Sequence, residues 1–335
     1  MAGRALAFAD PEIIRMASDD FIPVAGDDWY QRRRQDAEGE FFRSVADQGP
    51  RRGVGGATRQ GIYCLTASGK LLAYKNAGQN PQVMREVLRD ALVAWNRLPS
   101  DERRPGAVEI PPLERADDRY TRTLAEGGLA VNVYTRALER NEDRTLKTCS
   151  TRGTGYEGFA TALDHLWLTE ADGRSLVADP PDEGQAYPLA PRVAERILRF
   201  HLVDNTRGEP PFWRADDIRS SRLTVEIEAV TPEQVRLRLE GQALLATDAD
   251  PARAERGYDA SLLGWITFDR KGQRIDAFDI VALGEHWGQG PYTRGARPGR
   301  TPLAIVMQLT AGDSPADRVP PAAMRNPQEY LSPSR

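Results

Sequence analysis

The stretch Arg219–Ala246, RSSRLTVEIEAVTPEQVRLRLEGQALLA, decides the fold class. Leu223, Val225 and Ile227 alternate with Arg222, Thr224, Glu226 and Glu228. After Thr231-Pro232-Glu233 the chain resumes with Val235, Leu237 and Leu239 set between Arg236, Arg238 and Glu240. Apolar residues at every second position place one face of a strand on a core and the other in water. The Pro-containing break turns the chain, so two antiparallel strands are expected, and Ala243–Ala246 carries the second past Gly241.

Working outward, the same texture fills the C-terminal half. Strands are expected at Gly128–Leu138, His165–Leu168, Leu262–Phe268, Arg274–Leu283 and Pro302–Leu309, with Asp269–Gly272 as a turn. One helix is expected near residues 191–201, opened by Pro191 and buried through Val193, Ile197 and Leu198. About eight strands with one helix fit a larger antiparallel β-sandwich or barrel-like domain, here over residues 113–313. Residues 140–160 read as a long loop carrying Cys149, and residues 314–335 as a flexible tail.

The N-terminal part reads differently. Gln60–Trp95, QGIYCLTASGKLLAYKNAGQNPQVMREVLRDALVAW, has two short β-prone runs around Thr66-Ala67-Ser68-Gly69 and then a helix. Asn80 suits its N-cap and Pro81 its first turn, and Val83, Met84, Val87, Leu88, Ala91, Leu92 and Trp95 recur on one face. Before it come a short helix from Asp10-Pro11, a brief strand at Phe21–Val24 and a second helix over residues 29–48. This order, over about residues 8–98, resembles the C-terminal two-thirds of a thioredoxin-like domain. The family's CxxC-bearing helix and the cis-proline before the hairpin have no counterpart; Thr58-Arg59-Gln60 stand at the latter place. The resemblance therefore implies a redox-dead platform, with Cys64 as a core residue.

Pro99–Pro112 reads as a linker between a first domain of residues 1–98 and the β-rich domain. Taken whole, the chain also resembles a group of bacterial proteins that join a thioredoxin-like segment to a β-rich domain, on LWLTEADGRSLV, FHLVDNTRGEPPFW, LLATDADPARAERGYD and GARPGRTPL. That resemblance implies an α+β architecture and little else.

Composition narrows the function classes. Across 335 residues, 45 basic and 49 acidic side chains leave a net charge of −4. Arg32-Arg33-Arg34 is broken at once by Asp36, Glu38 and Glu40, which suits a solvated helix face better than phosphate neutralisation. Nucleic-acid and membrane partners are not expected, since no apolar run approaches the ~20 residues of a membrane span. The apolar segment in Met1–Asp20 is interrupted by Asp10 and Pro11, so it does not read as a signal peptide and a cytoplasmic location is the default. Cys64 and Cys149 are far apart and expected to be free. No P-loop or GxSxG elbow occurs, so no nucleotide is expected.

Chemistry is expected in the β-rich domain. His165, His201 and His286 are the only histidines, each at the end of an expected element and close to Asp164, Asp204 or Glu285. Three converging neutral imidazoles would hold zinc or copper and leave a position open for water or substrate. The three carboxylates would orient the rings. Cys149, beside Lys147, and Glu285 would then be catalytic, giving a metal-dependent enzyme, oxidative if the metal is copper. No HxH or HxxxH spacing ties two histidines together, so three independent structural histidines compete with this reading. The alternative is a non-enzymatic module for a small-molecule or protein ligand. In it, Arg207 grips a carboxylate while Trp213, Trp287 and Tyr292 wall the site from the loops Asp204–Trp213 and Gly284–Tyr292.

Overall fold

A computed structural model describes residues 7–8, 10–53, 57–76, 80–109, 114–149, 161–312 and 314–332. The chain divides into two compact units, residues 3–122 and 123–335.

In the N-terminal unit, α1 (Pro11–Asp20) starts at Asp10, whose carboxylate accepts the amides of Glu12 and Ile13. The expected second helix is two helices, α2 (Asp28–Gln31) and α3 (Ala37–Ala46). The break falls where Asp36 caps α3 through the Gly39 amide and pairs with Arg34 at 2.7 Å. The hairpin forms as β1 (Ile62–Leu65) and β2 (Leu71–Lys75), turning through Gly69 at φ +82°. The long helix α4 (Pro81–Asn96) is capped by Asn80. Its Met84, Val87, Leu88 and Ala91 join Ile13, Met16 and Cys64 in one core. Phe21–Val24, expected as a strand, is extended but unpaired, with Ile22 92% and Val24 87% exposed. The sheet of this unit therefore has two strands. A short helix α5 (Ser100–Arg103) lies in the expected linker. The boundary comes later than expected because Asp117 belongs to the first unit: its amide donates to Asp36 at 2.7 Å and its carboxylate accepts the Gln35 amide at 3.0 Å.

The C-terminal unit is built on one nine-stranded antiparallel sheet rather than a sandwich or closed barrel. Its strands are β3 (Leu129–Arg140), β4 (Leu146–Thr148), β5 (Thr161–Leu168), β6 (Ala186–Pro188), β7 (Ile218–Val230), β8 (Gln234–Ala246), β9 (Arg256–Asp269), β10 (Arg274–Gly288) and β11 (Thr301–Leu309). They run in the order β4-β3-β11-β10-β9-β8-β7-β6, with β5 also paired to β3. Of the loop expected over residues 140–160, residues 146–148 are strand β4, and residues 150–160 lie outside the described residues. Strand β8 runs unbroken through Gly241, where a Cβ would stand 2.0 Å from the Arg222 carbonyl oxygen.

Among the described residues no second sheet covers the inner face. The short helices α6 (Glu170–Arg174), α7 (Pro191–Arg196) and α8 (Pro327–Leu331) accompany it, and α7 continues into a π-helical turn, Ile197–His201. Val193, Ile197, Leu198 and Phe200 enter one core with Val225, Ile227, Leu237, Leu239, Ile266, Ile280 and Ile305. Burying each such side chain contributes about 1.5–3 kcal/mol. The last residues are not a loose tail: Ala323, Met324 and Tyr330 belong to this core, and Tyr330 is fully buried. Among the described residues, no helix is long and apolar enough to cross a membrane.

Candidate functional site

The three histidines are buried but do not meet. His165 lies on β5 opposite Asn132 of β3, whereas His286 lies on β10 opposite Tyr258 and Thr301. Three strand spacings separate them, about 14 Å, and continuing the register adds roughly seven residues along the strands, about 23 Å. No single ion can bridge that span. His201 stands 2.9 Å from the Tyr330 hydroxyl through Nε2 and 3.9 Å from Asp164 through Nδ1. Burial holds all three rings neutral: His165 is pushed down, His201 to about 3 with help from Arg196, and His286 to about 4. Among the described residues, no group of three His, Cys, Asp or Glu side chains is arranged to hold a metal ion. The expected site of His165, His201 and His286 is thus not assembled.

The expected catalytic pair is also engaged elsewhere. Cys149 donates to Glu139 at 3.3 Å. Burial and that carboxylate push its thiol pKa up, against the lowered value a nucleophile needs. Burial pushes Cys64 up to about 11. Lys147 pairs with Glu139, 3.9 Å away. Glu285 is ion-paired with Arg140. As the neighbour of His286 on one strand, it points to the opposite face of the sheet and cannot orient that ring.

Near His286, two loops are held by expected ligand residues acting as braces. Arg207 donates from Nε to Asp204 at 2.8 Å, and to the carbonyls of Thr293 at 2.6 Å and Gly288 at 3.0 Å. Gly208 allows this closure, because a Cβ there would lie 2.2 Å from the Tyr292 carbonyl oxygen. Asp204 also accepts from the amide and hydroxyl of Thr206, at 3.0 and 2.6 Å. Trp213 is a core residue: its indole N–H donates to Leu202 at 2.7 Å, and Arg256 stacks on its ring at 4.0 Å. Trp287 lies against Gly257 under the Arg300 guanidinium and donates to the Ala254 carbonyl at 3.0 Å. Tyr292 is 77% exposed. These aromatics therefore do not wall one site. Glu209 pairs with Arg325 at 3.2 Å rather than with Arg207. A surface groove runs between α7 and the edge strand β6, lined by Tyr187, Pro188, Leu189, Ala194, Leu198 and Leu223. Glu195, Ser221 and Thr224 also line it, and its lining residues include no histidine or cysteine.

What the sequence reading missed is the outer face of the sheet. Following the pairings Leu263↔Val281, Val281↔Val306, Val306↔Tyr134 and Tyr134↔Leu163 gives five apolar residues in line across β9, β10, β11, β3 and β5. Leu283 opposite Ala304, and Trp265, flank the line. Leu163, Tyr134, Val281, Leu263, Leu283 and Trp265 are between 37% and 54% exposed. The neighbouring columns are charged: Arg236 pairs with Glu228 at 3.2 Å and Arg238 with Glu240 at 2.9 Å. A signal for this existed in the sequence. Leu262-Leu263, Trp265-Ile266 and Ile280-Val281-Ala282-Leu283 are apolar at both parities, whereas a half-solvated strand alternates.

Comparison of the chain with protein-family models, with curated proteins and with solved structures finds no match.

Proposed function

We propose that the C-terminal unit is a non-enzymatic protein-binding module and that the outer face of its sheet is the docking surface. The observation that carries this is the apolar line Leu263–Val281–Val306–Tyr134–Leu163 across five strands. Single exposed apolar residues are ordinary, but an apolar line running unbroken over five neighbouring strands fits an interaction surface better than scatter. The patch has the anatomy of an interface: an apolar centre with Tyr134 and Trp265, and a border of ion pairs. It is a sheet face rather than a cavity, which favours another folded protein over a small molecule. The basic side chains Arg236, Arg238 and Arg140 beside it are paired with Glu228, Glu240 and Glu285, which disfavours a nucleic acid.

The test is the size of the chain in native extract at its natural expression level. The chain runs as an assembly larger than its own 37.2 kDa, and the double variant Leu263→Asp/Val281→Asp, with unchanged circular dichroism, returns it to single-chain size. A wild-type chain that runs as a single copy in extract overturns the reading.

A further inference from the structure

We propose that the open edge of β7 accepts an added strand, the segment Phe21–Val24 of a second copy of this chain. The site is separate from the outer face and does not rest on it. Strand β6 covers only part of β7: Ala186–Pro188 pairs with Thr224–Glu226, and the chain then leaves through Leu189, whose amide donates to the Leu223 carbonyl at 2.9 Å. Leu223 and Ile227 both bond toward β6, and alternation carries that direction on to Ser221, with no irregularity between Ser221 and Leu223. Ser221 therefore turns its N–H and C=O away from β8 to the open edge, where they have no partner among the described residues. Its side chain shares the parity of the buried Leu223 and Val225, yet it is exposed, because the groove beside α7 opens there. An unpaired edge beside a partly apolar groove is the geometry that takes an extended segment as an extra strand.

Phe21–Val24 has the form such an edge takes. It is extended and unpaired, with Ile22 92% and Val24 87% exposed. Ile22 and Val24 share one parity, so a strand that turns their backbones to β7 also turns both side chains into the groove. Pro23 then faces outward, the side on which an edge strand tolerates a missing N–H. Running antiparallel to β7, in line with β6, Ile22 meets Ser221 with its side chain toward Ala194 and Leu198, and Val24 lies toward Ile218. Charge sets this direction. Asp20, exposed just before the segment, comes to the exposed Arg222, which has no ion pair among the described residues. The opposite direction would bring it to Asp216 and Asp217. The groove's own carboxylate, Glu195, is already paired with Arg199 at 3.1 Å.

One short strand is a small contact, so association is weak and does not register at natural expression levels. Fluorescence anisotropy of a labelled peptide of residues 18–27, titrated with the purified full chain to about 1 mM, reads the weak end of specific binding. The expected result is saturable binding that weakens roughly tenfold in Ser221→Pro, which removes the edge donor and leaves the β8 ladder intact. Thermal melting of that variant checks that it folds. A second measurement needs no variant of the chain: methylating the Ile22 amide of the peptide abolishes binding, and methylating the Ala25 amide, which faces away from β7, does not. Sedimentation velocity of the full chain over the same range shows a mass that rises above 37.2 kDa with concentration, and Ile22→Asp/Val24→Asp, at two exposed positions, abolishes the rise. No saturable binding, or equal loss with either methylated peptide, overturns the added strand. Peptide binding lost in Leu263→Asp/Val281→Asp overturns the β7 edge as the site. A full chain that stays single throughout, or a rise that persists in Ile22→Asp/Val24→Asp, overturns the second copy's segment as the occupant.

Discussion

The Tyr330 hydroxyl lies 2.9 Å from Nε2 of His201, and it already accepts the Trp167 amide at 3.0 Å. The tautomer with its hydrogen on Nδ1 lets the hydroxyl donate to Nε2 and turns the Nδ1–H toward Asp164, 3.9 Å away. Tyr330→Phe leaves both the Trp167 amide and Nε2 without a partner in a dry core. The expected loss is about 1–3 kcal/mol, read as a lower urea midpoint with an unchanged slope.

Arg196 makes the second anchor of the same region. It is fully buried and donates to the carbonyls of Tyr330 at 2.9 Å, Trp167 at 3.1 Å and Leu331 at 3.1 Å, as well as to Asp172 at 2.5 Å. Arg196→Leu strands a buried carboxylate and frees helix α8. A loss of about 3–5 kcal/mol is expected, with proteolysis beginning between residues 314 and 327. A variant as protease-resistant as the wild type would contradict this anchoring.

Acid should destabilise the fold. His201 is held to about 3 and His286 to about 4, against 6.5 when unfolded. The unfolded chain takes up these protons first, so their contribution is full above pH 6.5 and is lost as pH falls toward 4. The groups setting this are Arg196 and His165 at His201, and Arg207, Arg256 and Arg297 at His286, with Asp204 opposing at the latter. Asp164, raised by burial to about 6 from 3.8, acts the other way over its own window. His165, His201 and His286, all pushed down, outweigh the one raised aspartate, so stability falls on acidification between pH 6 and 4, by on the order of 1 kcal/mol per pH unit. Urea midpoints that stay level or rise on acidification across that range would show that the rings are not held neutral.

The placement of Trp287 can be tested at its neighbour. A Cβ on Gly257 would come within 2.0 Å of the Trp287 ring, which Arg300 covers at 4.0 Å on the other side. Gly257→Ala must displace the indole, costing about 1–3 kcal/mol. The matching readout is a red-shifted tryptophan emission as that ring enters water.

Much of the sheet was legible because period-two alternation is a local property. The two strands over residues 223–240 and their turn at Thr231–Glu233 follow from alternation and the proline, and the hairpin and helix over residues 60–95 follow from Gly69, Asn80 and Pro81. Partner choice was not local. Nothing within β10 says that it pairs with β11, and nothing within the last twenty residues says that Tyr330 enters the core. The ends of elements do not share one rim, because strand register separates His165 from His286. Arg207 and Trp213 stand out in the sequence as ligand residues, whereas their partners, Thr293, Gly288 and Leu202, make them braces. The outer apolar line emerges only when five strands lie side by side, although Ile280–Leu283 carries its trace in the sequence.

The central claim, that the outer face is a docking surface, is tested most directly by hydroxyl-radical footprinting of three exposed aromatics. Tyr134 and Trp265 lie in the patch at 37% and 39% exposure, and Tyr292 lies outside it at 77%. The comparison is between the assembly isolated from native extract and the purified chain at high dilution. Selective protection of Tyr134 and Trp265 in the assembly, with Tyr292 equally reactive in both, is the predicted result. Equal reactivity of all three in the two states would contradict the docking face.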